Sequence, residues 1–406
     1  MAEAVVVAAG RTPIGRASKG SLTSVRPDDL VAGVVADVLA RVPGLDPRTL
    51  DDLYVGCADP RDEHGGNLAR RVAVLLGLDG VPAATVNRFC ASSVQTTRMA
   101  FHAIRSGEGH AFVSAGVECV SRYRGFAGAG LDPEDTHHPA FAAAGRRSAE
   151  TAATNRRWSD PRLDGELPDV YVAMGQTAEN VATAWDVSRA DQDAYAVTSQ
   201  HRAQAAVAAG VFAREIVPVT LPDGRVVDAD DGPRAGVTLE KVAALEPVFR
   251  AGGTVTAANC CPLNDGAAAV VVLSDERARE LGLTPLARVV ATATSALSPE
   301  VMGMGPVEAT RRVLDRAGMT IGDVDLVELN EAFAAQVLAC ARELGLDSDR
   351  LNVHGGAIAL GHPFGATGVR MLTTLLNAMV ERDAEIGLET LCVGGGQGMA
   401  LLVQRL

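Results

Sequence analysis

Four segments of this 406-residue chain set a nucleophile, a base or a polar amide among small residues that let a ligand come close. In "VNRFCASSVQTTRMAFHAIRSG" an apolar strand runs into Asn87-Arg88-Phe89, then Cys90, then a helical pattern reaching about Arg105. That order places Cys90 at a helix N-terminus. Unpaired N–H groups and the helix dipole favour an anion there, which would raise the thiolate fraction available for attack. A structural cysteine at a strand-to-helix junction is the other reading of the same segment. In "ETLCVGGGQGMALL" Cys392 ends an apolar strand and precedes Gly394, Gly395, Gly396 and Gly398. Such a run lets backbone donors approach a developing oxyanion, each worth roughly 3 kcal/mol. A plain turn needs fewer glycines, so a functional turn is expected.

The other two segments carry polar groups. "DLVELNEAFAAQVLACARELG" delivers Asn330 and Glu331 from a strand to the start of a helix, where capping is the ordinary role for Asn330 and orienting a water or a histidine is the functional one. "LNVHGGAIALGHPFGATG" holds His354 and His362. Pro363 suits the first position of a helix, so His362 is expected at a helix N-terminus, where the charged imidazolium is disfavoured and a neutral base results. His354 precedes two glycines and reads as a pocket or turn residue.

The elements that must position these groups alternate between strand and helix. Strand-like runs fall at 4–10, 51–56, 83–87 and 110–118, with helical patterns near 27–41 and from about 90 to 106. This is an α/β rhythm. Residues 306–330 repeat the layout of residues 26–56: helix, short acidic connector, then a strand opening with Asp-Leu. A helix near 366–382 and the strand "ETLCVG" extend the correspondence, so the chain reads as internally duplicated. Between the halves, residues 145–169 are polar and turn-rich, and residues 189–210 form one long amphipathic helix. The expected division is an N-terminal half over 1–121 completed by about 251–276, a connecting loop domain over 122–250, and a C-terminal half over 277–406.

Composition removes several classes of function. With 37 basic against 50 acidic residues the net charge is −13, which opposes binding to nucleic-acid phosphates. A hydrophobic share of 47% with 21% charged residues suits a globular chain, and no apolar run approaches the length of a membrane span. Seven cysteines without a C-x-x-C pair imply neither disulfides nor a metal site. No secretory or retention signal is legible, so the cytoplasm is the expected compartment.

Taken together, "NRFCAS", "LNEAFA", "GGAIALGHPFGATG" and "CVGGGQG" resemble the thiolases. Further matching segments are "VVVAAGRTPIG", "MGQTAENVA" (174–182), "GPRAGVTLEK" (232–241), "GTVTAANCCPLNDGAAAVVVLS" (253–274) and "MGMGPV" (302–307), so the resemblance covers nearly the whole chain. It implies a duplicated five-layered α/β/α/β/α fold with the loop domain over the active site. It also implies a homodimer or homotetramer acting on acyl-CoA, with coenzyme A as co-substrate and no tightly bound cofactor.

By motif position the resemblance makes Cys90 the acyl-accepting nucleophile, His362 its activator and Cys392 the acid/base at the acetyl-CoA α-carbon. Asn330 would hold a water that forms one oxyanion hole with His362 Nε2, and backbone N–H groups of Cys90 and Gly394 would form the other. Coenzyme A contacts fall by motif on Arg234, Phe249, Ala257, Cys261, Leu263, Ala332 and Phe333, with Met174 bordering the acyl pocket.

Departures from the family pattern are Cys261 for serine, Lys241 for a small polar residue, Ser93 for glycine, Ala173 for the histidine of short-chain biosynthetic members, and His354 for asparagine. Ala173 and His354 favour a degradative 3-ketoacyl-CoA thiolase over an acetyl-CoA C-acetyltransferase making acetoacetyl-CoA. A ketoacyl synthase would not need Cys392. A catalytically silent coenzyme A or acyl-lipid binding protein of the same fold would have lost one of Cys90, His362 and Cys392. A papain-like hydrolase gives no reason for duplicated halves.

Overall fold

The computed structural model describes residues 2–124 and 136–406. Nine strands form the main path: β1 (Ala4–Arg11), β2 (Asp52–Gly56), β3 (Ala83–Val86), β4 (Ala111–Cys119), β5 (Asn264–Ser274), β6 (Ala287–Ala296), β7 (Leu326–Leu329), β8 (Ile386–Val393) and β9 (Gln397–Arg405). The helices that matter for the site are α1 (Pro27–Ala40), α2 (Ser92–Ser106), α3 (Ala142–Thr154), α4 (Met174–Ala184), α5 (Arg189–Ala208), α6 (Gly305–Ala317), α7 (Ala334–Leu344) and α8 (Thr367–Glu381).

The duplication is visible in the pairing. The strand order is β7-β8-β9-β6-β1-β5-β4-β2-β3. In the first half β2 pairs parallel with β3 and β4, β4 antiparallel with β5, and β5 antiparallel with β1. In the second, β7 pairs parallel with β8 and with Leu351, β8 antiparallel with β9, and β9 antiparallel with β6. Only Val5–Arg288 and Val6–Ala287 join the two halves across β1 and β6.

Three apolar cores separate the layers. Along β5, Ala267, Ala269, Val271 and Leu273 face α1, while Ala268, Val270 and Val272 face the molecular centre. Both faces of this strand are buried, so its sequence is continuously apolar instead of alternating. The central core packs α2 (Val94, Ala100, Ile104) against α8 (Val369, Leu372, Leu376, Met379) between the two sheets. The third core covers β6 and β9 with Val307, Val313 and Leu314 of α6. The layers are therefore α1, sheet, α2 with α8, sheet, α6, the five-layered α/β/α/β/α arrangement that the resemblance implies.

One expectation fails. Residues 145–169 are not turn-rich throughout, because α3 occupies Ala142–Thr154. Alanine carries its helix propensity, but only Ala144 of α3 is buried, so no apolar stripe marks the helix in the sequence.

Candidate active site

Cys90 lies on a single 3-10 turn, Phe89–Ala91, ahead of α2. Phe89 adopts a left-handed φ of 44°, and the Asn87 side chain accepts its N–H at 2.8 Å. The elbow is closed by Ser92 Oγ, which accepts from Arg88 N–H at 2.9 Å and donates to Phe89 O at 2.6 Å. The helix-terminus expectation for this thiol is corrected by its surroundings. Burial pushes Cys90 up to about 12, and the backbone N–H of Gly394, with its own N–H, pulls in the other direction.

Cys392 is buried near the end of β8, opposite Gly398. It packs with Met174, Ala178, Val255, Met302, Ala332 and Phe333. Burial, with the nearness of Cys90, pushes this thiol well above its ordinary value. Cys261 feels both of those thiols and is likewise pushed up, chiefly by burial. Its N–H donates to Ala332 O at 3.0 Å. Cys260 packs against the same cluster and also acts on Cys261, so four thiols share one neighbourhood.

His362 is not at a helix N-terminus. The chain runs through Pro363 and a 3-10 turn, Phe364–Ala366, before α8 begins at Thr367. Its base is nonetheless neutral, because burial pushes His362 down to about 3, with Arg370 adding to the effect. Asn264 Oδ1 accepts the His362 N–H at 2.9 Å, and Asn264 Nδ2 donates to Gly15 O at 2.9 Å. A side chain at Gly361, whose φ is 114°, would collide with that amide.

Asn330 does not cap α7, whose N-cap is Phe333. Its Nδ2 faces His362 Nε2 at 3.2 Å, and its Oδ1 is buried without a protein partner. Neighbouring Glu331 accepts from Tyr195 OH at 2.8 Å, Ser199 Oγ at 2.6 Å, Asn352 Nδ2 at 3.0 Å and Ile358 N–H at 3.1 Å. One buried carboxylate therefore ties α5 and the loop before His362 to the end of β7.

Glu118, at the end of β4, performs the matching task from the first half. It accepts from Ala58 N–H at 2.8 Å, from Gly365 N–H at 2.8 Å and from the Tyr123 hydroxyl. Ser93 Oγ accepts the Val369 N–H at 3.0 Å, so α2 and α8 begin side by side. Thr367, Asn264, Glu118 and Ser93 are positioning groups that sequence reading did not single out for that work. Thr367 had a usable signal: a hydroxyl at the expected helix start, five residues past the histidine.

His354 is buried and lies 3.8 Å from Glu381, the last residue of α8. Fifteen residues of helix put that end about 20 Å from Thr367. It does not join the cluster around His362. Among the expected coenzyme A contacts, Met174, Cys261, Ala332 and Phe333 gather around Cys392. Phe249 is exposed and meets Phe333 edge-on at 6.2 Å. Arg234, Ala257 and Leu263 are exposed. Among the described residues, no group of three or more His, Cys, Asp or Glu is placed to hold a metal. No described helix is long and apolar enough to cross a membrane.

The site thus holds a base faced by an amide, a half-buried thiol under backbone donors and a buried second thiol beside it. The thiolase N-terminal domain family matches residues 4–276, and the thiolase C-terminal domain family matches residues 283–405. The chain belongs to the thiolase family. This thiolase is 43% identical to the beta-ketoadipyl-CoA thiolase of Acinetobacter baylyi over 100% of both chains. It is also 43% identical to the acetyl-CoA acetyltransferase of Paracoccus denitrificans, again over 100% of both. The crystal structure of the Bacillus anthracis acetyl-CoA acetyltransferase superposes with a TM-score of 0.86 at 36% identity, covering 100% of this thiolase and 99% of that chain.

Proposed function

We propose that this thiolase cleaves 3-ketoacyl-CoA, with Cys90 as nucleophile, His362 as its base and Cys392 as proton donor to the leaving carbon. The observation that carries the reading is the pair of neighbouring thiols, Cys90 half-buried with Gly394 N–H directed at it and Cys392 fully buried beside it. Cleavage needs attack on the keto carbon and protonation of the departing α-carbon, on two sides of one bond, so a single thiol cannot do both.

With Cys90 pushed up and His362 pushed down by burial, a standing thiolate–imidazolium pair is disfavoured. Proton transfer to His362 Nε2 therefore accompanies sulfur–carbon bond formation, while charge passes to the substrate oxygen. The N–H groups of Cys90 and Gly394 receive that charge on the acyl group. The acetyl-CoA enolate oxygen is held by the newly protonated Nε2 and by a water on Asn330, whose amide oxygen has no protein partner. Cys392 then gives its proton to the enolate carbon. Coenzyme A thiol gives its proton to the Cys392 thiolate as it attacks acyl-Cys90, and the Cys90–acyl bond breaks with the Cys90 sulfur taking back the proton held on His362, so both thiols and the neutral base are restored.

Coenzyme A serves as co-substrate, carried by Arg234, Phe249, Ala257, Cys261, Leu263, Ala332 and Phe333, with Met174 at the acyl pocket. The chain divides into halves 1–121 with 251–276 and 277–406, and a loop domain 122–250; it works in the cytoplasm as a homodimer or homotetramer. A second reading, synthesis of acetoacetyl-CoA, is favoured by the acetyl-CoA acetyltransferase name of one relative. The discriminating experiment follows loss of the keto-thioester enolate during thiolysis of acetoacetyl-CoA, longer 3-ketoacyl-CoA, 3-oxoadipyl-CoA and a ring-bearing analogue. Activity confined to acetoacetyl-CoA would decide for the biosynthetic reading.

A further inference from the structure

Behind α4, away from the thiols, lies a cavity of about 60 Å³, well above the roughly 10–15 Å³ that one water needs. Gln176 and Asn180, four residues apart on α4, line it. Met174 and Ala178, offset by two, pack toward Cys392 on the opposite face of that helix. The helix therefore stands between the cavity and the reacting cluster.

The cavity wall carries more positive charge than its carboxylates balance. Arg147 is paired with Glu166 at 2.7 Å and Glu300 at 3.0 Å, and Arg157 with Asp186 at 2.8 Å. Glu300 is further occupied by Trp158 Nε1 at 2.7 Å and Asp169 N–H at 2.9 Å. Arg156 has no ion-pair partner among the described residues, and neither has Arg250.

Arg250 is the informative residue. It is only 4% exposed, yet its hydrogen bonds go to neutral groups: Nε to Gln176 Oε1 at 3.0 Å and Nη2 to Asn180 Oδ1 at 2.8 Å. Its Nη1 is buried with no partner at all. Glu179, the acid whose charge acts on Arg250, spends its oxygens on the N–H groups of Thr254 and Val255 and the Thr254 hydroxyl. A buried guanidinium with an open donor and no hydrogen-bonded counter-charge is costly unless an anion completes it. A planar fork of this kind matches a carboxylate or phosphate oxygen pair.

We propose that this cavity is a binding site for a small oxyanion of the carboxylate or phosphate class, held between Arg250 and Arg156. The anion would join α3's C-terminal side to the segment that carries Phe249 and Arg250, so occupancy would steady the Phe249–Phe333 contact. The same chemistry could be brought by a free anion or by the far end of an acyl chain. Because α4 intervenes, the free anion is the source the geometry favours.

The test is thermal unfolding of the full chain with acetate, succinate or inorganic phosphate, at ionic strength held constant with chloride. A saturable rise in Tm with at least one of them is expected. Arg156→Ala, at an exposed position, should weaken that binding about tenfold, the loss of one charge-assisted contact. Arg250→Gln should abolish it; if that variant does not fold, Arg250→Lys, which keeps the charge but loses the fork, should still weaken it. No rise in Tm, or a rise that Arg156→Ala leaves unchanged, overturns the site. A second arm, which rests on the thiolysis reading, compares kcat/KM for 3-ketoacyl-CoA ending in a carboxylate with that for a methyl-ended chain of equal length. A ratio insensitive to Arg156→Ala supports the free anion, and a tenfold fall in that ratio without any Tm response overturns it in favour of a chain-borne carboxylate. Unfolding needs no turnover, so failure of the site and failure of the thiolysis reading are separable.

Discussion

Thr367 Oγ1 lies 2.6 Å from His362 Nδ1 and donates its hydrogen to Pro363 O at 2.8 Å. A hydroxyl has one hydrogen, so toward the imidazole it can only accept. Nδ1 therefore carries the proton, and Nε2 presents its lone pair on the side where Asn330 stands. One threonine sets the tautomer that a general base requires.

Thr367→Val is expected to lower kcat by roughly 10²-fold, the lower end of what a positioned base contributes. Thr367→Ser should restore most of it, because the hydroxyl geometry is kept. Wild-type kcat in the valine protein, with unchanged pH dependence, would remove this role.

Cys90→Ser should abolish thiolysis, while Cys392→Ala should leave acylation of Cys90 measurable and block α-proton exchange. Mass spectrometry of the trapped acyl-enzyme and deuterium uptake into acetyl-CoA read the two steps separately. Full turnover in Cys392→Ala would sink the two-thiol mechanism.

Phe249→Ala removes an exposed ring that rests edge-on against Phe333. The aromatic pair is worth about 0.5–1.5 kcal/mol, so KM for coenzyme A should rise roughly 3- to 10-fold with kcat little changed. Steady-state kinetics with varied coenzyme A decide it, and a loss in kcat alone would contradict a contact role.

Burial holds His64 down to about 4 and His362 down to about 3, below the ordinary histidine value of 6.5. Unfolding lets both bind protons below about pH 6.5, so their stabilising contribution is complete above that pH and is lost toward pH 3. Glu328, pushed up to about 8 by burial, acts oppositely: its contribution is lost as pH rises through 8. The histidine share is therefore read as a difference. His64→Gln, which keeps an acceptor for the Cys119 N–H, should cost less Tm at pH 5 than at pH 7. An equal cost at both pH values would refute the assignment.

The strands were legible because both faces of β1, β5 and β8 are buried, leaving apolar runs too short for anything but a strand. The glycine run after Cys392 and the strand-to-helix junction at Cys90 were legible from local residue types, whereas the junction expected at His362 was not found: a short helix, Ala357–Leu360, precedes it and a 3-10 turn follows. Helix α3 was not, since a helix with one buried residue leaves no periodic trace.

The sequence by itself determined the duplicated α/β layout, the thiolase motifs and which residue types could react. Tertiary structure alone decided their electrostatic state. Both helix-terminus expectations were local arguments: for Cys90 desolvation acts the other way and pushes the thiol up, while His362 is neutral as expected but through burial and not through a helix terminus. It also decided that Asn330 faces His362 instead of capping α7, and that His354 lies near the far end of α8. Desolvation and long-range hydrogen bonds depend on what other segments bring to a side chain, and no local pattern encodes that.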